Sequence, residues 1–192
     1  MFPVECKSDL PVDHMLITSV SVRGMLGPMT VWVSKESGED TEEDGSKMDT
    51  DDIGNVAAAA ASLRYQAAVN ARGPRESGVI SISVHSSSWH KIYEREHSPS
   101  TRDFVELKLD TPIKLRPNQL RGIYIHSKNP GDEAVVYDNQ KEEYTHDDKF
   151  LIIRPGLAHL CNKPFGRSTI WGWGSPWREN REFVGRLSYG KY

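Results

Sequence analysis

The feature that most constrains this chain is alternation with a period of two. Met29, Val31 and Val33 alternate with Thr30, Trp32 and Ser34, and the same rhythm recurs over residues 79–85 and 104–109. Successive side chains on an extended strand point to opposite faces, so this pattern suits a sheet with one buried face and cannot give a helix a continuous apolar stripe. It also leaves Trp32 on the partly exposed side. Further β-branched and aromatic runs over 15–24, 121–127, 134–137, 149–154 and 182–189 predict about eight short strands. Gly24, Gly27 and Pro28 separate the first two, and Arg116-Pro117-Asn118 marks another turn. Many short strands with turns between them predict an all-β fold, an antiparallel β-sandwich of jelly-roll type, as a single domain over 1–192.

One stretch breaks the pattern. Between Lys35 and Asp52 there are nine acidic residues against Lys35 and Lys47, a local charge of −7 within a total of −3, which leaves +4 on the rest of the chain. Such a segment holds too little apolar surface to offset the entropy of ordering it, so a solvated loop is expected. Eight alanines over 56–71 then give the only strong helix propensity, stopped by Gly73-Pro74. Residues 35–77 therefore read as an acidic loop plus an Ala-rich helical insertion within the sandwich.

Composition excludes several classes. No apolar run approaches the roughly 18 to 20 residues needed to span a bilayer, and the first residues carry neither a basic nor an apolar leader region. Cys6 and Cys161 are too far apart in sequence to form a short metal or redox motif, which fits a reducing, cytoplasmic setting. A body charge of +4 is too small for a nucleic-acid footprint, despite Arg167, Arg178, Arg181 and Arg186 near the C-terminal end.

The candidates for chemistry fall into three groups. Asp132, Glu133, Asp138, Asn139, Asp147 and Asp148 could offer oxygen ligands to a hard cation, although Asn129-Pro130-Gly131-Asp132 and Tyr137-Asp138-Asn139 are equally turn sequences and no EF-hand spacing is present. His126 shares a strand face with Tyr124, placing it at a pocket mouth near Asp132. Of seven histidines, six, at 85, 90, 97, 126, 146 and 159, fall in the sandwich half of the chain, and their spacing matches no metal or nucleophile motif. Trp171, Trp173 and Trp177, followed by Arg178, form either a stacking platform for sugar rings or for a Pro- or Arg-containing peptide, or a plug at one end of the core.

Residues 22–33, with their Gly-rich turn running into a strand, and 104–129, with Thr111-Pro-Ile-Lys-Leu-Arg-Pro-Asn118, resemble the PHR-type β-sandwich of BTB adaptors and very large ubiquitin ligases; 181–189 then corresponds to the closing strand. The acidic and Ala-rich insertion and Trp171-Gly-Trp-Gly174 depart from that pattern. The phrases Gly-Ile-Tyr-Ile-His-Ser, Val-Tyr-Asp-Asn and Trp-Gly-Trp-Gly also resemble an uncharacterised family of algae and other protists. The resemblance implies a fold and a recognition role.

The chain is thus expected to be a binding module without cofactor, recognising another protein through end loops that carry His126, Asp132, Asp138, Asn139, Trp171, Trp173, Trp177 and Arg178. A carbohydrate-binding jelly roll built on Trp171 and Trp173 is the alternative. A metal-dependent hydrolase using His126, His159 and the Asp cluster is the third reading, and it requires those groups to converge on one cleft.

Overall fold

The computed structural model describes residues 1–36, 84–129, 131–169 and 174–191. Most of the insertion expected over 35–77, including its Ala-rich helix, lies outside them. Within them the chain forms twelve strands, all paired antiparallel: β1 (Phe2–Cys6), β2 (Met15–Gly24), β3 (Gly27–Ser34), β4 (Trp89–His97), β5 (Ser100–Leu115), β6 (Leu120–Ser127), β7 (Tyr137–Asn139), β8 (His146–Asp147), β9 (Leu151–Ile153), β10 (Gly156–His159), β11 (Trp177–Phe183) and β12 (Arg186–Lys191). They make a six-stranded sheet in the order β4-β3-β6-β1-β9-β8 and two three-stranded sheets, β12-β2-β5 and β10-β11-β7. The β-sandwich is therefore observed. No helix among the described residues is long and apolar enough to cross a membrane.

Alternation explains the main core. Phe2, Val4 and Cys6 of β1, Met29, Val31 and Val33 of β3, and Ile123 of β6 face Ile17, Val20 and Val22 of β2 and Leu107, Leu109 and Leu115 of β5, all buried in one cluster. On β2 the inward set changes from Met15 and Ile17 to Val20 and Val22 because the register with β5 shifts between Ile17 and Ser19. An irregularity of this kind re-phases the alternation, since each extra residue flips the faces.

The second face of the six-stranded sheet is covered as well, which corrects the expectation of an exposed side. Tyr124 of β6 and Trp89 of β4 are buried with Leu157 of β10 and Trp177 of β11, and Trp32 and Phe165 pack against them. Trp32 meets Phe165 edge-on at 5.3 Å rather than facing solvent. The β10-β11-β7 layer is stitched to β1 by reciprocal main-chain bonds between Met1 and Leu157, each 2.8 Å. Strand ends also differ from expectation. Residues 182–189 are the end of one strand and the start of another, 134–136 precede β7, and 84–85 lead into a single 3₁₀ turn at Ser86–Ser88.

The contact between β10 and β1 depends on Gly156, where an added Cβ would lie 2.1 Å from the Met1 carbonyl oxygen and 2.8 Å from Phe2 Cα. Backbone on both sides leaves no flexible atom to yield. Gly156→Ala is therefore expected to destabilise the fold by roughly 1–3 kcal/mol, the usual range for overpacking, measurable as a lower urea midpoint at unchanged m-value.

Candidate binding site

Two recesses flank the segment between β6 and β7, and each gathers some of the residues singled out from the sequence. The first is a surface groove of about 550 Å³ lined by Met25, Asp132, Glu133, Val136, Tyr137, Asp138 and Asn139, among others. The β2–β3 turn builds one wall. Gly24 sits at φ 143°, and a Cβ there would lie 2.6 Å from the Ala134 carbonyl oxygen, so only glycine lets the two main chains come this close. Met25 N then donates to Glu133 O at 2.8 Å, Val136 N to Arg23 O at 2.9 Å, and Asn129 Nδ2 to Met25 O at 2.7 Å.

The polar groups of this groove are largely spoken for. Tyr137 donates its hydroxyl to Asp132 Oδ1 at 2.6 Å, and Arg178 Nη1 bridges Asp132 Oδ2 at 2.9 Å and the Tyr137 oxygen at 3.2 Å. Partial burial and the neighbouring Asp132 carboxylate raise the Tyr137 phenol above its ordinary value. Asp138 accepts from Lys141 Nζ at 2.5 Å and from the Asn139 amide at 2.8 Å, and the lysine contact lowers its carboxyl. Glu133 has no ion-pair partner among the described residues. Met25, 40% exposed, is their one exposed large apolar side chain.

The second recess lies inside. Tyr124 and His126 share a face of β6, as alternation predicts, but His126 is only 3% exposed and lines this inner recess, while Asp132 lines the groove. The pocket-mouth expectation for His126 is corrected on this point: the β10-β11 layer covers that face. His126 Nε2 lies 2.9 Å from the Cys161 carbonyl oxygen, and His159 Nε2 2.9 Å from that of Gly166. Carbonyls only accept, so both Nε2 atoms carry the proton. His159 Nδ1 is then the acceptor for the Tyr124 hydroxyl at 2.6 Å. Burial lowers the His126 imidazole and drives His159 down to about 3, while it lifts the Tyr124 phenol well above its ordinary range.

Trp177 belongs to this interior. It is 6% exposed and stacks on His159 at 4.0 Å, so a surface stacking platform does not include it. Trp171 and Trp173 lie outside the described residues. The convergence that a metal hydrolase would need is not seen: the two imidazoles lie 5.7 Å apart, but they bond to carbonyls and a tyrosine, and the Asp cluster divides between the groove and the β8–β9 turn. Among the described residues, no group of three or more His, Cys, Asp or Glu side chains is placed to hold a metal ion. Met25 is a groove residue that sequence reasoning did not single out, and a methionine in a Gly-flanked turn was the one available signal for it.

Comparison with protein-family models, curated proteins and solved structures returns no match.

The depressed His159 value carries a stability consequence. The unfolded chain binds a proton near pH 6.5 that the folded chain takes up only near 3. This contribution is complete above pH 6.5, declines as pH falls and levels off near pH 3, at a rate of up to about 1.4 kcal/mol per pH unit. Denaturant titrations from pH 7 to pH 4 are expected to show a shallower decline for His159→Gln than for the wild type, since glutamine keeps a donor for Gly166 O and does not titrate.

Proposed function

We propose that the protein is a non-catalytic recognition module that binds a short segment of another protein in the groove beside the β2–β3 turn. The observation that carries this reading is Met25. A large apolar side chain left 40% exposed on a turn whose main chain is fixed by three hydrogen bonds is a contact waiting for a partner. Around it Asp132 and Asp138 are already paired with Arg178 and Lys141, which leaves Glu133 as the groove's unopposed carboxylate. The complementary segment therefore carries an apolar side chain to cover Met25 and Val136 and, next to it, a lysine or arginine to meet Glu133. The recognition role implied by the resemblance to PHR-type sandwiches agrees with this reading.

A random peptide library selected on the full chain tests it. The enriched peptides are expected to carry a basic residue adjacent to a large apolar one. Met25→Glu should weaken their binding by about tenfold or more, and Glu133→Lys should shift the selection toward acidic peptides. Both positions are exposed, so stability should stay within about 0.5 kcal/mol. Peptides that bind the wild type and both variants equally would place recognition elsewhere.

A further inference from the structure

The β12-β2-β5 sheet packs one face into the main core, through Val20 and Val22 of β2, Val105 and Leu107 of β5 and Leu187 of β12. Alternation therefore turns Arg23, Phe104, Glu106, Lys108 and Arg186 to the opposite face, where Glu106, Lys108 and Arg186 are exposed. Three of these five are cations, and Glu106, the carboxylate among them, already accepts the Ser19 hydroxyl at 2.6 Å. Two of the cations rest on one ring. Arg23 Cζ lies 5.5 Å and Arg186 Cζ 5.0 Å from the Phe104 centroid. Arg95, Arg116, Arg121, Arg154 and Arg178 each pair with a carboxylate, whereas Arg23 and Arg186 pair with none among the described residues. The face is separate from the peptide groove, whose lining holds none of these side chains.

A guanidinium stacked on an aromatic ring has lost much of its motion before any ligand arrives, and its planar N–H fork suits an anion that can be met at two oxygens. We propose that this face is the docking surface for an extended acidic segment of another protein, two of whose carboxylates pair with Arg23 and Arg186. Spacing favours a peptide. Side chains at i and i+2 of an extended chain share a face and stand about 7 Å apart, and both guanidiniums lie within 5.5 Å of one ring centroid. Nucleic acid is the poorer match, because its interfaces gather many phosphate contacts and this face offers three cations beside a carboxylate, on a chain of formal charge −3.

Fluorescence anisotropy of a labelled peptide of alternating Asp and Ser, titrated with the full chain, tests the assignment. This peptide is expected to bind and its Asn-Ser counterpart to stay free. Arg186→Gln should weaken binding by about tenfold or more. Phe104→Leu should weaken it as well, since it keeps every charge and removes only the ring that positions both guanidiniums. Lys149→Gln, an equal loss of charge at a cation resting on Phe150, should leave binding within about twofold. Arg186 is exposed, so its variant decides the matter even if Phe104→Leu folds poorly. An equal loss from Lys149→Gln, or no binding at millimolar concentration, would overturn the assignment. So would an oligothymidylate that binds as tightly as the peptide, which would give the face to nucleic acid. Peptide binding that tightens about tenfold once the Asp and Glu residues of 39–52 become Asn and Gln would instead give it to the chain's own acidic stretch, in the same or a second copy. None of these outcomes depends on whether peptides bind at Met25.

Discussion

The constraint on which the rest of the structure depends is the burial of β6 on both faces. Ile123 faces one core and Tyr124, fully buried, faces the other, so every polar atom on this strand must find its partner inside the protein. The second layer meets much of that demand with irregular chain rather than with a regular sheet. Cys161 O and Gly166 O receive the two imidazoles, and His159 receives the Tyr124 hydroxyl. The loop between β10 and β11 is fixed by these bonds. Its Phe165 adopts φ 56°, unusual for a side chain of that size, and is held between Trp32, Trp89 and Tyr124 at ring distances of 4.7 to 5.9 Å.

Much of the first core was legible because its strands alternate. Residues 15–24, 28–34 and 121–127 match β2, β3 and β6 almost to the residue. The strands that escaped are those whose pattern is short or irregular. In β1 only Phe2, Val4 and Cys6 mark the inward side. In β4, opposite the register shift at Val31 and Trp32, adjacent Ile92 and Tyr93 are both buried among polar neighbours. A second covering layer could not be read at all, since Trp32 and Tyr124 look the same in sequence whether they face water or another sheet. Of the candidate site, the turn residues Asp132, Asp138 and Asn139 were visible from local chemistry. Their meeting with Met25 is a product of strand order, which no local spacing records.

The same geometry bears on how rigid the two recesses are. Val136 and Tyr137 belong to the walls of both, so the segment from Gly131 to Asn139 is a partition whose movement would alter groove and cavity together. That movement is opposed from three sides. Met25 and Arg23 hold the main chain at Glu133 and Val136, β11 pairs with residues 137–139, and Asp132 with Arg178 clamps the Tyr137 hydroxyl. Asn180 and Arg181 meet the partition from the other side, through Asn180 O to the Gln140 amide and through the guanidinium 5.9 Å from the Tyr137 ring. A wall restrained in this way would lose little conformational freedom to any ligand, so neither recess depends on movement of the partition for its shape.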